Sequence, residues 1–89
     1  VQFEWDTEKA KRNATKHGVS FDEAATVFYD PLSATFDDPD HSRSEERFIT
    51  VGFSAQNNLL VVVHADKSDN IRIISARSAT ANERKRHEG

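Results

Sequence analysis

The chain has 89 residues, no cysteine and a formal net charge of −3. That length supports one domain, residues 1–89, with a modest core and no deep enclosed pocket. The lack of cysteine excludes a disulfide framework, a thiolate metal site and a cysteine nucleophile, and it suits a reducing cytoplasm. The acidic balance argues against a protein that coats nucleic acid non-specifically, because such affinity comes from neutralising phosphates. The longest apolar run, Leu59 to Val63, is far short of the roughly 20 residues needed to span a bilayer. No basic apolar leader opens the sequence, so the expectation is a cytoplasmic protein with no membrane contact.

Val1, Phe3 and Trp5 alternate with Gln2 and Glu4, the pattern of a half-buried strand. Asp6 is an N-cap with Glu8 in the favourable first turn, and a polar surface helix follows from Thr7 to His17. Lys9, Lys11, Arg12, Asn13 and Lys16 cover it, Ala10 and Ala14 are its small apolar contacts, and Gly18 supplies the left-handed residue that ends it. Ser20 and Glu23 have the spacing of a capping box, and Phe21, Ala24, Ala25 and Phe28 form the core stripe of a second helix. Asp30-Pro31 stops that helix, because proline disfavours helical geometry in the residue before it.

Beyond Pro31 the apolar period falls from 3.6 to 2. Leu32, Ala34 and Phe36 mark a short strand, and residues 37–46 a loop. Arg47 to Phe53, Leu59 to His64 and Ile71 to Ala76 are strands rich in Val, Ile and Phe. Turn-forming connections at Ser54 to Asn58 and Ala65 to Asn70 predict an antiparallel meander. Thr80 and Glu83 form a further capping box that opens a basic helix from Ala81 to about His87. The expected fold is α+β, in the order β-α-α-β-β-β-β-α, with a mainly antiparallel sheet packed by helices.

Charge is unevenly spread. Asp30, Asp37, Asp38, Asp40, Glu45 and Glu46 face a single Arg43 in the middle of the chain. Arg72, Arg77, Arg84, Lys85 and Arg86 outweigh Glu83 and Glu88 at its end. Such asymmetry permits a local anion-binding face on an acidic protein, and a solvated helix gives the same count.

Several stretches together resemble the BrnT family. They are Phe3-Glu4-Trp5-Asp6 with Lys9, the Lys16-His17-Gly18-Val19-Ser20-Phe21 junction, Glu23-Ala24-Ala25, Asp30-Pro31 and Glu45-Glu46-Arg47-Phe48. The strand from Leu59 to His64, Arg72-Ile73-Ile74-Ser75-Ala76-Arg77, Ala79-Thr80 and Glu83-Arg84 continue the resemblance in order over nearly the whole chain. The resemblance implies a RelE-like fold and the toxin half of a type II toxin-antitoxin pair. It further implies a metal-independent ribonuclease that arrests translation. The implied partner is BrnA, an antitoxin with a ribbon-helix-helix DNA-binding region, through which a dimer or heterotetramer would form. One departure is His87, where BrnT-like chains often carry a tyrosine near the end of the basic helix.

Without a metal or other cofactor, the simplest cleavage of RNA uses its own 2′-hydroxyl as nucleophile. The protein must then position the backbone, move protons and stabilise the charged phosphorane. The guanidinium fork matches phosphate oxygens and stays charged, so Arg77, Arg47 and Arg72 are the first candidates, with His64 as a proton carrier. Arg77 ends its strand, where a side chain turns towards a ligand or simply lies in solvent. Period 2 sends Arg72 and Arg77 to opposite faces unless the strand bulges between them. Arg47 is in phase with Ile49, Val51 and Phe53, either rimming a buried face or pairing with neighbouring acids. His64, in phase with Leu60 and Val62, is a catalyst or a packed residue. Lys16, His17, Arg84, Lys85 and Arg86 are candidate RNA contacts, although cations at helix ends also serve the dipole. Trp5 and Phe48 can stack on bases, with core packing as the default for alternating strands.

Two rival readings remain. Asp38, Asp40, His41, Glu45 and Glu46 offer oxygen ligands and one imidazole for Mg²⁺ or Mn²⁺, in a spacing that matches no metal motif. Alternatively the chain is a small non-catalytic binding module for a protein or DNA-binding partner, which exposed apolar edge residues would favour.

Overall fold

The change of period at Pro31 divides the structure as it divides the sequence, with helices before it and a meander after it. A computed structural model describes residues 1–38 and 45–89. Its elements are β1 (Gln2–Glu4), α1 (Thr7–His17), α2 (Phe21–Thr26), a 3-10 turn (Val27–Tyr29), β2 (Ala34–Asp37), β3 (Phe48–Phe53), β4 (Leu59–Lys67), β5 (Asn70–Ser78) and α3 (Ala81–Glu88). The order is the expected one, in an α+β fold.

The helix ends follow their local chemistry. Asp6 accepts from the Glu8 and Lys9 amides at 2.8 and 3.1 Å, and Gly18 closes α1 at φ 70° with its N–H on the Ala14 carbonyl. At α2 only half of the expected capping box forms. Ser20 accepts from the Glu23 amide, while the Glu23 carboxylate reaches across to Ser54 Oγ and Asn58 Nδ2 at 2.7 and 2.8 Å. α2 ends earlier than the apolar stripe predicts, tightening into the 3-10 turn before Asp30-Pro31. Asp30 then accepts from the amides of Leu32 and Phe53, and these two bonds hold its carboxyl below the usual carboxylate range.

The strands form one five-stranded sheet in the order β1-β5-β4-β3-β2. β2 to β5 are an antiparallel meander, and β1 adds at the far edge, parallel to β5. The β4–β5 hairpin runs further than the apolar pattern indicates. Asp66 and Lys67 pair with Ile71 and Asn70, leaving a tight turn at Ser68, which takes φ 53°. Polar residues at an exposed strand end break the alternation without breaking the ladder.

One face of this sheet carries the main core, in which Val19, Phe21, Ala24 and Val27 meet Leu60, Val62, Ile73 and Ala76. Trp5 packs edge-on against Phe21, and Phe48 lies beside His64 with ring centres 5.9 Å apart, so both aromatics are packing residues. Asn13 corrects the expectation that its side chain belongs to the solvated surface of α1. It is buried at 7% exposure, donates to the carbonyls of Val19 and Ala76 at 2.9 and 2.8 Å, and accepts from the Ala76 amide at 3.1 Å. The reason lies in the sheet edge: β1 pairs β5 only as far as Arg72, so the Ala76 peptide groups need another partner.

Candidate active face and its apolar groove

The position of each candidate depends on a single extra residue in β5. Val63 pairs with Ser75 and His64 with Ile73, so Ile74 is a β-bulge opposite the Val63–His64 step. A bulge adds one residue to the alternation. Arg72, opposite Ala65, and Arg77, opposite Val61, therefore share the face that carries Val61, Val63 and Ala65, away from α1 and α2. Arg47 immediately precedes β3 and is in phase with Ile49, Val51 and Phe53, which face the same way through their pairing with Val63, Val61 and Leu59. The three arginines thus belong to one side of the sheet.

Each is held by a carboxylate. Arg77 Nη1 and Nη2 donate to the two oxygens of Glu83 at 2.8 and 2.9 Å, a bidentate fork. Glu83 also receives the Thr80 amide at 2.9 Å while its own amide donates to Thr80 Oγ1, so one residue caps α3 and pins Arg77. The Arg77 fork and the Thr80 amide lower the Glu83 carboxyl to about 2. Arg72 donates to Glu45, and Arg47 Nε lies 3.7 Å from the same carboxylate oxygen. Among the described residues that buried Nε has no hydrogen-bond partner.

Beside Arg77 runs an open groove of about 500 Å³. Ala34, Ile49, Val51 and Val61 line its apolar part with Leu32 and Phe36, and Arg77, Glu83, Arg86 and His87 line its polar part. His87 is half-buried, with its ring edge-on to Phe53 at 6.0 Å. It is the imidazole of the arginine face among the described residues, and the sequence reading missed it as a site residue. Its usable signal was position: the last turn of a helix whose cap is bonded to Arg77.

His64 lies on the other side. It is 1% exposed, stacked edge-on with Phe28, and bonded to Asp66 through Nδ1 and to Thr50 through Nε2, both at 2.7 Å. Because an ionised carboxylate only accepts, Nδ1 carries the proton towards Asp66 and Nε2 receives the Thr50 hydroxyl, which in turn accepts from Thr35 at 2.8 Å. Burial pushes the His64 pKa down, against the opposing pull of Asp66. The sheet therefore separates His64 from the arginines.

Lys16 and His17 sit exposed at the end of α1, which packs on the His64 side, so they do not join the arginine face either. Arg84 pairs with Glu88 at 3.4 Å, while Lys85 and Arg86 are exposed on α3. Of the rival metal set, Asp40 and His41 lie outside the described residues. Among the described residues no group of three or more metal-ligating side chains converges, and Glu45 is engaged with arginine. No described helix is long and apolar enough to cross a membrane.

A family model described as the ribonuclease toxin BrnT of type II toxin-antitoxin systems matches residues 5–83. The crystal structure of the Brucella abortus ribonuclease toxin BrnT is similar in fold, with a TM-score of 0.68 at 21% identity, over 90% of this chain and 99% of that one. No curated protein matches the chain. The family match spans β2 to β5 and both N-terminal helices and includes Arg47, Arg72, Arg77 and Glu83; the chain belongs to the BrnT family of ribonuclease toxins from type II toxin-antitoxin systems.

Proposed function

We propose that this chain cuts RNA internally and without a metal, through attack by the substrate's own 2′-hydroxyl. The observation that carries the reading is the common side of Arg47, Arg72 and Arg77, which exists because Ile74 bulges out of the β4–β5 ladder. Three guanidiniums on one open surface suit a phosphodiester whose negative charge grows in the transition state. The 2′-oxygen bonds to phosphorus as the bond from phosphorus to the 5′-oxygen breaks, leaving a 2′,3′-cyclic phosphate and a 5′-hydroxyl. The 2′ proton passes to a base, and the departing 5′-oxygen takes one up.

Glu83 and Glu45 hold the arginine forks in advance, which reduces the reorganisation needed when a phosphate arrives. Glu83 is held ionised far below neutral pH and so is no proton donor. Histidine exchanges protons near neutrality, and His87, beside Arg77 in the groove, is the group we assign to that exchange. Arg84, Lys85 and Arg86 would track flanking phosphates, and Lys16 and His17 those of a strand that passes around the sheet. The proposed partner is a BrnA-type ribbon-helix-helix antitoxin in the cytoplasm, with any dimer or heterotetramer assembled through it.

The decisive experiment expresses the wild type and Arg77→Ala in cells and follows growth and RNA integrity. Arrest and RNA fragmentation with the wild type alone are expected. Equal growth with intact RNA in both refutes the reading. Cleavage by the purified chain is expected to persist in EDTA, and its loss there returns the metal-dependent alternative.

A further inference from the structure

We propose that the apolar part of the groove is the docking surface for the antitoxin, which seats a segment of apolar and acidic side chains there. The proposal rests on the family reading for the existence of the partner, and not on the cleavage mechanism. Leu32 and Phe36 stand at 77% and 57% exposure on and beside the edge strand β2, next to a floor of Ile49, Val51 and Val61. Contiguous exposed apolar surface of this kind marks a protein interface.

The lining also chooses between RNA and protein. Unpaired bases bind by stacking on aromatic rings and guanidinium planes. In the apolar part Phe36 is the one ring, while Leu32, Ala34, Ile49, Val51 and Val61 offer no such platform and accept aliphatic side chains. Across the groove stand Arg77, Arg86 and the His87 imidazole, with Glu83 already committed to Arg77. The complementary occupant is therefore apolar where it meets β2 and β3 and acidic where it meets α3. An antitoxin bound this way would neutralise the toxin by placing its acids on the guanidiniums that would bind phosphate. Tyr29 provides a contrast: it is 70% exposed, but lies outside the groove beside Phe3.

The test uses the full chain and its cognate antitoxin in titration calorimetry, with RNA cleavage, thermal melting and light scattering in parallel. Leu32→Glu and Phe36→Glu should each weaken antitoxin binding at least tenfold, and the pair at least a hundredfold. Tyr29→Glu should bind like the wild type, and all variants should cut RNA as the wild type does while the groove variants escape neutralisation. If the glutamate variants melt early, Leu32→Ala and Phe36→Ala replace them, with weakening of three- to tenfold expected. Unchanged antitoxin affinity in well-folded groove variants overturns the proposal. If those variants lose RNA binding instead, the groove is an RNA site. If they convert a wild-type dimer to monomer with antitoxin affinity intact, the occupant is a second copy. A wild type that fails to cut RNA, with groove variants that still lose the antitoxin, leaves the docking surface standing and removes the mechanism.

Discussion

Asn13 and Glu83 show how much a single polar side chain decides in this fold. Asn13 follows Ala10 by three positions, on the inner stripe of α1, and that spacing was the signal that it belonged inside. Asn13→Ala removes three hydrogen bonds and strands the Ala76 peptide groups, so urea denaturation should report a loss of about 2–3 kcal/mol. Glu83 has its effect through charge. Its carboxyl falls from an ordinary 4.5 to about 2 in the fold, so the unfolded chain binds its proton first as the pH drops. The stabilisation is complete above pH 4.5 and is lost as pH falls from there through about 2. Since 40% of the Arg77 side chain is exposed, solvent screening limits the effect to about 1 kcal/mol. Unfolding measured from pH 6 to 3 should lose this part of its slope in Glu83→Gln. The arginines were legible as residues in the sequence, and so was the pairing of Arg47 with a neighbouring acid, but the Arg72–Glu45 pair was not, because those two residues are far apart in the chain.

At the level of elements, boundaries followed local signals closely wherever a cap or a proline set them: Asp6, Gly18, Asp30-Pro31 and Thr80 all mark ends where the sequence puts them. Strand ends without such residues drifted, as at Lys67 and Asn70. The bulge is the clearest case of a feature that alternation alone does not specify. Ile73-Ile74 is an unbroken apolar pair, and which of the two is extra depends on its register against β4. Deleting Ile74 would remove the extra residue and restore strict alternation while leaving Ser75, Ala76 and Arg77 opposite Val63, Val62 and Val61, so Arg77 would stay on the arginine face. We expect that deletion to retain RNA cleavage, with only a modest shift of the unfolding midpoint in urea. A folded deletion variant that no longer cuts RNA would show that the bulge does more than set which side Arg77 faces.

For the whole molecule, the sheet acts as a partition. One side holds the helices and the hydrogen-bonded chain from Thr35 through the buried Thr50 and His64 to Asp66, and the other holds the arginines and the groove. His64 has its folded pKa pushed below the ordinary 6.5, so its contribution to global stability is present above pH 6.5 and declines as pH falls through the folded value. Equilibrium unfolding between pH 7.5 and 5 should show this decline in the wild type and a flatter profile in His64→Asn. RNA binding, in contrast, should depend on salt. If Arg47, Arg72 and Arg77 each neutralise one phosphate of a single strand, log affinity against log salt should have a slope of about −2, reduced by about 0.7 in Arg47→Ala. A slope near zero would separate RNA recognition from this face.

By itself the sequence determined the element order, the caps and the residue types able to meet a phosphate, because periodicity and turn chemistry act over a few neighbouring residues. Tertiary structure decided which of those residues share a surface. Sidedness in a sheet depends on register against a partner strand, and the Ile74 bulge reverses what alternation along β5 alone would give. It also decided the parallel addition of β1, the burial of Asn13 and the removal of His64 from solvent, each of which is fixed by contacts between segments distant in the chain.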